Sequence, residues 1–373
     1  MIPPPSAGEV PRLTKRRGHA FPASTPPPLI TGAPPHLNGE VGFAIAGDLL
    51  GWGLTGGDMS ENGLFRHDDL LGHVPNPGFS GPGFGRSFHT IDAEGFRSCG
   101  EPPPSGEGGT ILTVGDSFTY GDEVRDAETW PAQLQRLTGR RVLNAGVTGY
   151  GFDQMVLRAE RCAATHRPAL LILSFIADDI RRAEMRCLWW RHKPWFAVDG
   201  ESEDGQLALK GVPVPPHRST LSPPLRHRLE AALLALPVFV QHLAGYHRRV
   251  HRSGVGVQIA KRLIERLARL QAAGDLKVVV MAQYPPDTWT NRGYLAYQRR
   301  IVEALLACAA QHGLATVDTF RRLAAEPSPQ DFYASAHMNP RGNLMVASLL
   351  AATLPALAGT AATAAAPATV ATP

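Results

Sequence analysis

Four short stretches of this 373-residue chain carry residue types that can do chemistry together. Ile111–Gly121 reads ILTVGDSFTYG and sets Asp116 and Ser117 directly behind a run of apolar and β-branched residues. Asn144–Gly149 reads NAGVTG, Phe175–Asp179 reads FIADD, and His337–Asn343 reads HMNPRGN. A serine hydroxyl, a histidine ring and a glycine backbone amide brought to one place are the parts of acyl transfer: nucleophile, general base and oxyanion donor. Taken singly, each has a plainer reading. Asp, Ser and Thr after a strand also make an ordinary capped turn, and a histidine before Asn-Pro is also a surface residue at a helix start.

The elements that must bring these stretches together are legible as patterns. Ile111–Val114 is a short buried strand, and Gly115 breaks it. Asp126–Gly139 is a helix ending at a glycine, Arg141–Asn144 a second strand, and Tyr150–His166 a helix with Met155, Val156, Ala159 and Ala163 on one face. Ala169–Ile176 is nearly all apolar, as a central parallel strand covered on both sides requires. Helix Val257–Ala273, strand Lys277–Ala282, helix Asn291–His312, strand Leu314–Asp318 and a helix from Pro340 to Leu354 continue the alternation. Five strands with intervening helices predict a doubly wound α/β fold: a flavodoxin-like three-layer α/β/α sandwich around a five-stranded parallel sheet. Such sheets place their ligands at the carboxyl edge, where all four stretches can converge.

Around this core, at about 110–354, the chain is less regular. Residues 1–40 form a Pro-rich leader expected to be disordered. Residues 41–109 read as a β-rich preamble and linker, with strands at Leu71–Pro75 and Phe88–Ile91 and a turn at Asp92–Gly95. An insertion at about 180–256 interrupts the alternation. It holds a hairpin of Pro194–Val198 with Gln206–Val212, and a basic, apolar helix over Leu225–His251 kinked at Pro237. Its rings Trp189, Trp190, Trp195 and Phe196 suit either a sugar or acyl pocket or a small local core. Residues 355–373 read as a disordered Ala/Thr/Pro tail.

Composition narrows the function classes. A formal net charge of +4 over this length, without a basic module, gives no case for nucleic acid. The four cysteines are far apart, form no metal spacing and read as free thiols. Val41–Trp52 is apolar but too short to span a membrane and is interrupted by Asp48. No secretory signal is visible. That favours the cytoplasm and leaves an extracytoplasmic site open; the oligomeric state is also open.

The three blocks GDSF, NAGVTG and HMNPRGN, in this order and at the ends of these elements, resemble the SGNH (GDSL-like) hydrolase superfamily. The preamble, with DAEGFRS before the GDS strand, resembles members of that family too. The resemblance implies a serine esterase or acyltransferase needing no metal or organic cofactor. In it Ser117 is the nucleophile, His337 the base, and the N–H of Gly149 holds the oxyanion with that of Ser117. Two positions depart from the family pattern. The block-three asparagine that completes the oxyanion hole is Asp178 here, and an ionised carboxylate accepts hydrogen bonds but cannot donate them. Asp178 would have to act protonated, hold a water, or pair with Arg181 or Arg182. The triad aspartate three residues before the histidine is Ala334 here. Asp331, Ser335 or a backbone carbonyl is left to orient His337. The expected activity is cleavage of small carboxylic O-acyl esters through an acyl-enzyme on Ser117, deacetylation of a carbohydrate among them. The alternatives are an O-acyltransferase acting on a glycan and a carbohydrate-binding protein on a decayed scaffold.

Overall fold

The computed structural model describes residues 63–84, 87–102, 108–198, 207–217, 228–229, 232–233, 236 and 238–359. The expectations for the leader, for Val41–Trp52, for the hairpin loop 199–206 and for the tail beyond 359 lie outside the described residues. Two hairpins lead in. β1 (Phe65–Asp68) pairs antiparallel with β2 (Gly72–Pro75), and β3 (Ser80–Pro82) with β4 (Phe88–Thr90). Then come β5 (Ile111–Val114), the one-turn helix α1 (Ser117–Tyr120), α2 (Trp130–Thr138), β6 (Val142–Asn144), α3 (Phe152–His166), β7 (Leu170–Phe175) and α4 (Ala177–Arg182). The insertion holds β8 (Met185–Leu188), β9 (Arg191–His192), β10 (Trp195–Val198), β11 (Leu207–Lys210), α5 (Val238–Leu243) and β12 (His247–Arg249). The core closes with α6 (Val255–Ala272), β13 (Lys277–Ala282), α7 (Arg292–Gln311), β14 (Ala315–Asp318), α8 (Phe320–Ala324) and α9 (Pro340–Gly359).

The central sheet has five strands in the order β14-β13-β7-β5-β6, every pair parallel. This is the three-layer α/β architecture expected. Alternation along each strand sends side chains to opposite faces. Leu112, Val114, Leu171, Leu173, Val278 and Val280 join one apolar cluster, with residues of α3, α6 and α7. Ile111, Leu170, Ile172, Val279 and Met281 join a second, with residues of α2 and α9. All six residues of β7, the middle strand, are buried. The preamble is welded to the first cluster through Leu64, Phe65, Leu71, Val74, Ile91 and Phe96.

The insertion departs from expectation in one respect. The region read as a single kinked helix over Leu225–His251 contains, among its described residues, the short α5 and then a strand. Gly245, at φ +70°, ends the helical path. His247–Arg249 then pairs antiparallel with β8. The hairpin β10–β11 forms as expected, with Trp195 opposite Lys210 and Val198 opposite Leu207. α9 runs five residues past Leu354, to Gly359. No described helix is long and apolar enough to cross a membrane, and all four cysteines are free thiols.

Candidate active site

The nucleophile turn is built by backbone constraints. A Cβ on Gly115 would meet Thr119 Oγ1 at 2.1 Å and the Ser174 carbonyl oxygen at 2.6 Å, so only glycine lets β5 turn so sharply against β7. Asp116 caps α1: its Oδ1 accepts from Phe118 N at 3.0 Å. Ser117 is therefore fixed at the first position of α1, at the carboxyl end of β5, and it is buried.

His337 comes from the loop before α9. Its Nε2 lies 2.8 Å from Ser117 Oγ, across 220 residues of sequence. The ring packs 5.1 Å from the Phe118 ring, centroid to centroid. Two consecutive acids on the loop after α1 bracket the imidazole. Asp122 Oδ2 lies 4.0 Å from Nε2, and Glu123 Oε1 lies 4.0 Å from Nδ1. Glu123 also holds the histidine loop. Its carboxylate accepts from Ser335 N at 3.0 Å, from the Ser335 hydroxyl, from Ala336 N at 3.3 Å and from His337 N at 3.2 Å. Burial pushes the Glu123 carboxyl up, but the histidine and the Ser335 donors outweigh it and hold the group at about 2. Asp122 is fully enclosed. Burial there wins over the pull of His337 and the Thr148 hydroxyl, and the carboxyl is pushed up to about 7.

Glu123 was not among the residues singled out from sequence. Asp331, which was, is exposed in a 3-10 turn at Pro329–Phe332. Ser335 gives its hydroxyl to Glu123 instead of the ring. The only signal for Glu123 in the sequence is an acidic pair shortly after the serine, and nothing local says that it faces a histidine 214 residues later.

The two residues before Gly149 are tied to the nucleophile turn and its loop. Val147 N donates to Gly115 O at 3.0 Å, running the NAGVTG stretch alongside the nucleophile turn. Thr148 Oγ1 donates to Asp122 Oδ1 at 2.6 Å, which ties the residue before Gly149 to the acid that faces Nε2. Gly149 itself has φ +77°. Asn144 organises the stretch, donating from Nδ2 to Thr119 O at 3.1 Å and accepting from Gly146 N at 3.0 Å. The preamble props it from behind. His73 Nε2 lies 3.0 Å from Thr148 O, Tyr150 Oη donates to His73 O at 2.6 Å, and Gln154 Nε2 donates to Leu71 O at 2.8 Å.

Asp178 and its neighbour Asp179 take different places. Asp178 Oδ2 accepts from Tyr294 Oη at 2.6 Å, and Arg181 Nε lies 3.8 Å from its Oδ1. Of the readings left open, pairing with Arg181 is the one whose geometry is present. Asp179, not Asp178, lies under the nucleophile turn. Arg182 Nη1 donates to Asp179 Oδ1 at 2.6 Å and to Tyr150 O at 3.1 Å, and it lies 3.5 Å from Asp116 Oδ2. This one guanidinium ties the serine turn, the glycine stretch and α4 together. Burial pushes both Asp116 and Asp179 above the usual carboxylate range, more strongly at Asp179, where Asp116 adds repulsion.

A parallel five-stranded sheet, with a serine at the carboxyl end of β5, beside the middle strand, and a histidine delivered from the loop before the last helix, defines an SGNH-type α/β protein. The model of the GDSL-like Lipase/Acylhydrolase family matches residues 113–344, and the chain belongs to that family. Among solved structures it is similar to a lipase/acylhydrolase from Enterococcus faecalis, at 14% identity over 66% of this chain and 96% of the other, with a TM-score of 0.39. It is also similar to the psychrotrophic esterase EstA from a Pseudoalteromonas species, at 13% identity over 67% and 98%, with a TM-score of 0.40. An acetyl-xylooligosaccharide esterase from a Geobacillus species matches at 13% identity over 66% and 94%, with a TM-score of 0.41. No curated protein matches.

Proposed function

We propose that this protein is a serine hydrolase that cleaves small carboxylic O-acyl esters, acetylated carbohydrate among them. The observation that carries the reading is the 2.8 Å contact of Ser117 Oγ with His337 Nε2 inside a buried site. That is hydrogen-bond reach for a base and its nucleophile. Nε2 takes the hydroxyl proton as Oγ bonds to the acyl carbon, and the carbonyl oxygen becomes an oxyanion. The N–H groups of Ser117 and Gly149 are the donors assigned to it. The imidazolium then returns the proton to the leaving alcohol as the carbon–oxygen ester bond breaks. Water, deprotonated by the same Nε2, attacks the acyl-enzyme and releases the acid with the free serine.

The preference for a small acyl group follows from enclosure. Ser117 and His337 are each only 5% exposed, and Trp189 covers Gly149, so bulk beside the nucleophile is disfavoured. The test is release of acid from an ester series of rising acyl length. Turnover is expected to be highest for acetyl and to fall by octanoyl. A preference for long chains overturns the substrate assignment, and no turnover of any ester, with no labelling of Ser117 by a fluorophosphonate, overturns the activity.

A further inference from the structure

The family's triad acid is absent at its usual place, since Ala334 stands there, yet the imidazole does not lack a carboxylate. We propose that Glu123 is the positioning acid of this site: its carboxylate accepts the Nδ1–H of His337 and so keeps Nε2 as the nitrogen that takes the serine proton. The inference rests on the serine-hydrolase reading and adds to it where the orienting group comes from. It comes from the loop directly after the nucleophile helix, not from the histidine loop.

Three observations converge on Glu123. First, its Oε1 lies 4.0 Å from Nδ1, the ring nitrogen opposite the one that meets Ser117. Closing that gap to hydrogen-bond length takes about 1 Å, and such contacts tighten when substrate binds. Second, the same carboxylate accepts the backbone N–H of His337 at 3.2 Å, so Glu123 fixes the residue's main chain as well as facing its ring. Third, the side-chain rivals are otherwise placed. Asp331 is exposed, the Ser335 hydroxyl is donated to Glu123, and Asp122 faces Nε2, the wrong nitrogen, with its other oxygen taken by Thr148. A glutamate has one methylene more than an aspartate, which lets a residue on a neighbouring loop span to the ring. The orienting acid of a triad works by fixing tautomer and orientation, and its position in the sequence is free.

Glu123 also binds Ser335 and Ala336, so a purely structural role has to be separated from a positioning one. Glu123→Gln separates them. The amide oxygen still accepts from the backbone of the histidine loop, but the charge facing Nδ1 is gone. Among the described residues, the charged and titratable groups facing the ring include Asp116, Asp122 and Glu123, with Arg182 behind Asp116. Only Glu123 changes in this variant.

The experiment is nitrogen NMR of the full chain labelled in histidine, with His337 assigned by His337→Gln, together with rates of fluorophosphonate labelling across pH. The wild type is expected to carry its proton on Nδ1 at neutral pH. In Glu123→Gln the imidazolium loses its counter-charge, so the pKa of His337 falls by about one unit or more, and the rising limb of the labelling profile moves to lower pH with it. Labelling at neutral pH slows roughly 10²–10⁴-fold, and Glu123→Asp recovers part of the loss. A wild-type His337 protonated on Nε2, or a Glu123→Gln protein with unchanged imidazole pKa and unchanged labelling, overturns the inference. If Glu123→Gln does not fold, the wild-type tautomer and Glu123→Asp decide it. A wild type with the Nδ1–H tautomer that does not label overturns the hydrolase reading and leaves the Glu123 contact standing.

Discussion

Trp189 lies on Gly149 so closely that a Cβ on the glycine would sit 2.5 Å from the indole Cζ3. The tryptophan reaches that place from a two-residue turn between β8 and β9 in which Trp189 and Trp190 have φ +52° and +58°. Positive φ at bulky residues is rare and held only by surrounding structure. Here the hold includes Trp190 N donating to Tyr246 O at 3.0 Å and the Arg182 guanidinium 5.9 Å above the Trp189 ring. The insertion thereby walls the proposed oxyanion glycine. Gly149→Ala is expected to cost about 1–3 kcal/mol, from both φ strain and the clash, and to slow ester turnover at least about tenfold. Trp189→Ala is expected to open the space beside Gly149 and raise the octanoyl-to-acetyl turnover ratio. Denaturant midpoints and the ester series measure both; an unchanged ratio in Trp189→Ala removes the wall from the account.

The loop carrying Asp122 and Glu123 hangs on a residue of the preamble. Arg97 is 1% exposed and donates to the carbonyls of Tyr120 at 2.9 Å, of Gly121, and of Val124 at 2.6 Å, and from Nε to Asp126 at 3.0 Å. A lysine cannot reproduce this fork. Arg97→Lys is expected to cost about 3–5 kcal/mol, because it leaves buried carbonyls and a carboxylate poorly paired, and to slow fluorophosphonate labelling of the protein that remains folded. Urea unfolding reads the first effect. A loss below about 1 kcal/mol would show that the preamble does not frame the site.

Asp122 and Glu123 pull stability in opposite directions with pH. The folded Glu123 carboxyl sits at about 2, below its ordinary value near 4.3, so its contribution is complete above that value and is lost as pH falls toward 2. The folded Asp122 carboxyl sits at about 7, above its ordinary value near 3.9. The folded state therefore holds that proton more tightly, and stability from this group is lost as pH rises from about 4 to about 7. Asp122→Asn keeps an acceptor for Thr148 and removes the ionisation. It is expected to raise the melting temperature at pH 8 relative to wild type and to change it little at pH 4. Equal shifts at both pH values would mean that Asp122 ionises freely in the folded protein.

What the sequence discloses follows from what each feature depends on. The central strands are buried on both faces, so β5, β7 and β13 read as mostly apolar runs, broken only by Thr113, Ser174 and the leading Lys277, and the alternation with helices fixes a parallel sheet. Ser117 and His337 are legible because each sits in a local motif at an element's end. Other features depend on tertiary contact. β12 is three residues, His-Arg-Arg, with no apolar period, and it exists only because β8 offers an edge. The Trp189–Trp190 turn uses a geometry that ordinarily calls for Asn-Gly, so two tryptophans carry no turn signal. Glu123 is adjacent to His337 only across the closed fold, and Asp179 outranks Asp178 under the nucleophile because its partner Arg182, three residues on in α4, also reaches Asp116. The last helix passes Leu354 despite Pro355, with the helix formers Ala356, Leu357 and Ala358 beyond it.

The central claim is that Ser117 is a nucleophile activated by His337. Reaction of the full-length protein with a fluorophosphonate, followed by mass spectrometry of the modified peptide, tests it most directly. The account predicts one adduct, on Ser117, formed by the wild type, absent from Ser117→Ala and slowed by several orders of magnitude in His337→Ala. An adduct that persists in Ser117→Ala, or a wild type that stays unmodified under conditions that label a known serine esterase, contradicts it.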